Sequence, residues 1–147
     1  MSRWTTRDGL RLRGVHPDLE VYVGRILEAM EMLGWAMMVV EGVRTTQRQQ
    51  DLYAQGRTKP GPVVTRVDGV KTLGAHQLQA DGFGHAVDMA FIDDPGTKED
   101  ETYDPSMPWD LYGLMAQKCG LVWGGAWLTM RGDLGHVELA TRRPAIA

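Results

Sequence analysis

Between residues 19 and 33 the apolar positions recur every three or four residues. Leu19, Val23, Ile26, Leu27, Met30 and Leu33 share one face, the spacing of an amphipathic helix. Pro17 and Asp18 stand where such a helix opens and Gly34 where it ends. The pattern then changes. Residues 35–40 form a continuous apolar run that predicts a buried strand, leading into Glu41-Gly42-Val43-Arg44. Thr46 and Gln49 have capping-box spacing for a second helix, carrying Leu52 and Tyr53 and stopping near Gly56. Lys59-Pro60-Gly61-Pro62 breaks the chain, and the runs 63–67 and 70–73, joined across Asp68-Gly69, predict a small hairpin. Residues 84–91 alternate as a strand. A polar loop, 92–108, is too long for a simple connection. A helix over 108–119, a strand at 121–123, a turn at Gly124-Gly125 and a closing strand at 136–139 complete the series. The first fifteen residues are expected to be irregular and 141–147 a frayed tail.

At 147 residues the chain is expected to fold as one domain, with both ends peripheral. A hydrophobic share of 43% and a charged share of 24% are those of a globular protein. A net charge of −3 argues against nucleic acid as a partner. No apolar run is long enough for a membrane span, and the N-terminal residues lack the apolar stretch of a signal peptide. Cys119 is the sole cysteine, which excludes an internal disulfide and thiolate-rich zinc sites. Its place in an apolar helix pattern points to a buried packing role.

Against this ordinary background one constellation carries chemistry. His76, Asp88 and His136 offer two imidazoles and a carboxylate, a common ligand set for catalytic zinc that leaves a position open for water. In a strand Asp88 shares its face with Gly84, Ala86 and Ala90, which leaves room above it for an ion. A carboxylate inside an apolar strand is costly unless it is paired or coordinates a metal. His85 points to the opposite face, which favours His76 as the partner of Asp88. Asp133, in a turn bracketed by Gly132 and Gly135, could take a proton from the water. Glu138, on the face of His136, is the other candidate for the base, or else orients that imidazole. Arg44 is a candidate to bind a substrate carboxylate or stabilise an oxyanion, with a surface salt bridge as the equal alternative. A metal-dependent hydrolase is the reading these residues support.

These segments resemble the M15 metallopeptidases, the family of D-alanyl-D-alanine carboxypeptidases and dipeptidases and of phage L-alanyl-D-glutamate endolysins. The family pattern, Ser-x-His-x-x-Gly-x-Ala-x-Asp followed later by Asp or Glu, two residues and His, is matched by Gly74-Ala75-His76, Gly84-His85-Ala86-Val87-Asp88 and Asp133-Leu134-Gly135-His136. Gly42-Val43-Arg44-Thr45, the run 50–56 and Trp123-Gly124-Gly125-Ala126-Trp127 are similar to other family segments. Two departures stand out. Gly74 replaces the usual Ser, and His76 and Asp88 lie twelve positions apart where the pattern has seven. Residues 79–83 therefore read as a loop inserted ahead of the strand, which leaves the facing of Asp88 intact. The competing alignment takes His85 as the first ligand and breaks the strand's alternation.

The resemblance implies an α+β fold, a small antiparallel sheet holding Zn2+ with helices packed behind it. It implies an endolysin that cuts the L-Ala–D-Glu bond of the peptidoglycan stem peptide, with His76, Asp88 and His136 as ligands, Asp133 as base and Arg44 at the substrate. Such an enzyme is expected to be a monomer without a membrane anchor, made in a host cytoplasm and admitted to the wall at lysis. The alternatives are a D,D-carboxypeptidase or dipeptidase acting on D-Ala-D-Ala, and a wall-binding module that has lost catalysis.

Overall fold

The computed structural model describes residues 6–92, 101–127 and 132–140. The elements run α1 (Thr6–Arg11), α2 (Pro17–Met32), β1 (Met37–Glu41), α3 (Thr46–Ala54), β2 (Ala86–Ile92), β3 (Glu101–Thr102), α4 (Trp109–Lys118), β4 (Leu121–Trp123), a 3-10 turn (Gly124–Ala126) and β5 (His136–Leu139). The strands form an antiparallel sheet in the order β1-β2-β5-β4, with the short β3 paired to the end of β2. This is the α+β architecture expected.

The sheet has two unlike faces because side chains alternate along a strand. Val87, Met89 and Phe91 of β2 and Val137 of β5 point to one face, where they meet Leu19, Val23, Ile26 and Met30 of α2 and Tyr112 and Ala116 of α4. All ten are at most 1% exposed. The other face carries Asp88 and His136, opposite each other in register. One face is thus the core and the other the site.

α2 starts at Pro17, whose missing N–H and fixed φ suit the first helical position. His16 caps it, its Nδ1 accepting from the Asp18 N–H at 3.0 Å. At the far end Gly34, at φ +92°, turns the chain so that Trp35 N–H reaches Met30 C=O. The strand that follows begins two residues later than the apolar run suggested, and Trp35 is exposed.

The N-terminal stretch is not irregular throughout, because α1 serves a purpose that composition does not reveal. β1 is an edge strand, and an edge presents unpaired backbone groups. Asp8 is 2% exposed, and its Oδ1 accepts from Val39 N–H at 2.9 Å. Arg11, one turn on, donates from Nη1 to Val39 C=O at 2.9 Å. Two side chains of a six-residue helix therefore complete the ladder where no further strand can.

The hairpin expected over 63–73 does not form. Asp68 Oδ1 instead gathers the N–H groups of Val70, Lys71 and Thr72 at 2.9, 2.9 and 3.1 Å, and a carboxylate that satisfies three amides removes the need for a strand partner. Gln49, 1% exposed, donates from Nε2 to Val67 C=O at 2.8 Å and to Thr65 Oγ1 at 3.3 Å. Gln49 is therefore not half of a capping box. The cap of α3 is Thr45, whose Oγ1 accepts from Arg48 N–H at 3.1 Å. The loop expected over 92–108 contains β3, its residues 93–100 lie outside the described residues, and so does the tail 141–147. Among the described residues no helix is long and apolar enough to cross a membrane.

The role of α1 gives a stability prediction. Asp8→Ala leaves the buried Val39 N–H without an acceptor and should lower unfolding free energy by about 1–3 kcal/mol, read by urea denaturation. A change within error would show that water replaces the carboxylate at that edge.

Candidate metal centre

Asp88 reaches the site face in the middle of β2, and two imidazoles converge on the same oxygen. His76 Nε2 and His136 Nδ1 each lie 3.2 Å from Asp88 Oδ1. One ligand atom from each residue lies within 4.8 Å of the others, the only such His/Cys/Asp/Glu group among the described residues. Both contacts are longer than the roughly 2.7–2.9 Å of charge-assisted hydrogen bonds. Ligand atoms around a tetrahedral zinc, at bonds of about 2.0–2.2 Å, stand about 3.3–3.6 Å apart, so this spacing suits a shared cation. The donor set, nitrogen and oxygen without sulfur, also suits zinc.

Each imidazole has its other nitrogen fixed. His76 Nδ1 lies 2.8 Å from Gly42 C=O, so it donates there and leaves Nε2 free to ligate. His136 Nε2 lies 2.8 Å from Glu138 Oε1. Glu138, two residues along β5, thus sits where it orients His136. The loop bearing His76 is bonded through its backbone as well, Arg44 N–H to His76 C=O at 2.8 Å and His85 N–H to Ala75 C=O at 2.8 Å.

His85 faces away, its Nε2 2.7 Å from Asp81 Oδ2. Residues 79–83 form a loop closed at its base by Gln79 N–H to Phe83 C=O at 2.9 Å and by a bridge between Leu78 and Gly84. A loop whose ends meet adds chain length without displacing the strand behind it, which is how twelve positions span the place of seven.

Arg44 is half-buried beside the ligand candidates, with 14% of its side chain exposed, and is ion-paired there. Its Nε donates to Glu41 Oε1 at 2.8 Å, its Nη2 also contacts that oxygen, and its Nη1 donates to Gln49 Oε1 at 3.0 Å. Nη2 lies 3.6 Å from Asp88 Oδ2. A bulge between Val39 and Glu41 places Glu41 in register with Asp88, and Arg44 lies between the two carboxylates. Glu41 carries no motif, and sequence reasoning passed over it. The bulge that sets its facing leaves no compositional mark.

Asp133 lines a cleft of about 740 Å³ together with Arg44, His76, His136 and Glu138. Its turn is fixed by groups that sequence reasoning also missed. Tyr112 Oη donates to Gly135 C=O at 2.9 Å and Trp123 Nε1 to Leu134 C=O at 2.8 Å. Gly132 makes the bend at φ +71°. Gly135 lacks a positive φ, and its constraint is close contact of the backbone with Met89 C=O. A Cβ on Gly124 would lie 2.5 Å from Asp133 C=O, so the glycine turn is what admits the Asp133 turn to the site. Trp127 lays its ring 4.9 Å from that of His136. Arg131 lies outside the described residues. Cys119, partly buried with its thiol pKa raised by that burial, lies apart from the cleft.

The electrostatics follow from this crowding. Burial opposes the charge on Asp88, but the hydrogen bonds and charges of His136 and His76 outweigh it and hold the carboxyl far below its usual range. Burial likewise opposes charge on His136, yet Asp88 and Glu138 push its pKa up to about 9. Asp133 is exposed to the cleft, but the cleft walls strip part of its hydration, and with the charge of Asp88 this raises its carboxyl above the ordinary value. A proton thus sits on His136 at neutral pH and must leave before Nδ1 can ligate a cation. Zinc affinity should therefore rise with pH from 7 to 9, with about one proton released per ion at pH 7. Calorimetry in buffers of different ionisation enthalpy measures this, and no proton release would contradict the pairing described.

Known proteins share this arrangement of chain. A model of the M15 peptidase family, described as D-alanyl-D-alanine carboxypeptidase, matches residues 74–139, the stretch that carries all three ligand candidates and Asp133. The peptidoglycan L-alanyl-D-glutamate endopeptidase CwlK of Bacillus subtilis (strain 168) is 27% identical over 145 residues, covering 92% of this chain and 82% of that protein. The crystal structure of the Serratia marcescens L-Ala D-Glu endopeptidase ChiX superposes with a TM-score of 0.60 at 27% identity, over 93% of this chain and 89% of that one. Residues 74–139 thus match the M15 peptidase family model, and the chain as a whole is similar to two L-alanyl-D-glutamate endopeptidases.

Proposed function

We propose that this protein is a zinc-dependent peptidoglycan endopeptidase that hydrolyses the L-Ala–D-Glu bond of the stem peptide. The observation that carries the reading is the convergence of His76, Asp88 and His136 at the spacing of zinc ligands, with Asp133 facing the same cleft. The two named relatives, both L-Ala–D-Glu endopeptidases, support the choice of bond. Zinc, when bound there, supplies a Lewis acid that acidifies water and polarises the scissile carbonyl.

The chain's own residues supply the rest. Asp133 accepts the proton of the attacking water and passes it to the leaving amine, and a carboxylate of raised pKa is the better acceptor. Glu138 holds the His136 ring and keeps Nδ1 turned to the site. Arg44, held by Glu41 and Gln49, places fixed positive charge beside the ligands, where it offsets charge developing on the carbonyl oxygen. The endolysin setting, synthesis in a host cytoplasm and access to the wall at lysis, belongs to the same proposal, as does a monomeric state.

Two measurements check this. Digestion of purified peptidoglycan should yield fragments ending in L-Ala and fragments beginning with D-Glu, identified by mass spectrometry, and a chelator should abolish both. New termini at D-Ala alone would instead mark a D,D-carboxypeptidase, and no release of fragments a binding module. Asp133→Asn keeps the shape and removes the basicity, so it should bind zinc normally and turn over on the order of a hundredfold or more slower. Glu138→Gln should lose less. An inactive Glu138→Gln beside an active Asp133→Asn would move the base to Glu138.

A further inference from the structure

Two arginines line the cleft, and they differ in what holds them. Arg44 spends its donors on Glu41 and Gln49 and lies close to Asp88. Arg66 also lines the cleft, is exposed, and has no hydrogen bond or ion pair among the described residues. Its backbone, however, is fixed. Gln49, fully buried, donates to Thr65 Oγ1 and Val67 C=O, the residues on either side of Arg66, and Thr65 Oγ1 also accepts from Val67 N–H at 3.1 Å. The same Gln49 accepts from Arg44. One buried amide therefore sets the positions of both arginines, clamping the first guanidinium and leaving the second open to the cleft. Val63 and Val64, 46% and 44% exposed, add apolar wall beside it, and apolar surroundings strengthen a charge interaction there.

The substrate class proposed above has a matching group. Glutamate has two carboxyl groups, and a peptide continues through only one of them. The other is free beside the bond that joins L-Ala to D-Glu, on the leaving side of the cut. We propose that Arg66 is the substrate-binding residue that reads this spare D-Glu carboxylate, and that the enzyme discriminates against substrates in which it is amidated. The inference rests on the L-Ala–D-Glu reading. A guanidinium matches a carboxylate with two parallel N–H donors, whereas an amide can accept on one side only and carries no charge. Pairing with a charged group is worth about ten- to a hundredfold in binding or rate.

The test uses zinc-loaded full-length protein and two synthetic stem peptides that contain L-Ala–D-Glu. Both have blocked C-termini and differ only in whether the spare carboxyl is free or amidated. Wild-type kcat/KM should favour the free acid by about ten- to a hundredfold. Arg66→Gln should lower that ratio towards one by slowing the free acid, and Arg66→Lys should keep part of it because a point charge lacks the fork. Circular dichroism and zinc content of both variants should match wild type, since the side chain is exposed. A wild-type ratio near one, or a ratio unchanged in Arg66→Gln, overturns the assignment while leaving the cleavage reading intact. A third peptide, with the C-terminus free and the spare carboxyl amidated, separates the two carboxylates. Recovery of rate through Arg66 on that peptide would assign the residue to the chain end and overturn the proposal. Failure of wild type to cut any of the three overturns the L-Ala–D-Glu reading itself, and this inference with it.

Discussion

A single oxygen, Asp88 Oδ1, stands 3.2 Å from an imidazole nitrogen on either side, and the rest of the site is organised around it. A carboxylate in the middle of a buried strand is tolerated only when its charge is matched. Here the matching groups come from three directions: the loop ahead of β2 brings His76, the neighbouring strand brings His136, and the turn after β1 brings Arg44. Each is then fixed by a further partner, Gly42 C=O, Glu138 and Glu41 respectively. The arrangement brings one ligand atom from each of the three candidate residues within 4.8 Å of the others.

The same economy governs Asp133, the proposed base. Asp133 sits in a turn between the 3-10 segment and β5, and turns are where chains are most free. This one is tied by Tyr112 and Trp123, two aromatic donors that reach its carbonyls from α4 and β4, and it is seated against Gly124. Position is what proton transfer demands, since a base outside hydrogen-bond reach of its proton contributes nothing. The core side of the sheet and the chemical side are coupled through such residues. Tyr112 is fully buried against α2 and β2 and still sets a carbonyl one residue from His136.

Much of this was legible in the sequence where period or chemistry left a mark. The 3.6-residue spacing of α2, the alternation of β2 and the short runs of β4 and β5 carried their elements, and strand alternation separated His76 from His85. The illegible parts share a cause, a side chain doing the work of a backbone. Asp68 replaced a hairpin ladder, Gln49 stitched 65–67 to α3, and Asp8 with Arg11 completed the edge of β1. The cap expected at Thr46 falls one residue earlier, because Thr45 and Thr46 have the same capping chemistry and only backbone conformation distinguishes them. Glu41 was invisible for a related reason, since its facing depends on a bulge that no residue type announces.

In the proposed centre one ion is held by His76 Nε2, Asp88 and His136 Nδ1. Crystals grown with zinc and measured on both sides of its absorption edge test it directly. One strong anomalous peak is expected in the cleft, about 2.0–2.2 Å from those three residues, with Asp133 and Glu138 outside bonding distance. A peak lying instead among His16, Asp81 and His85, the other place where imidazoles and a carboxylate meet, would contradict it.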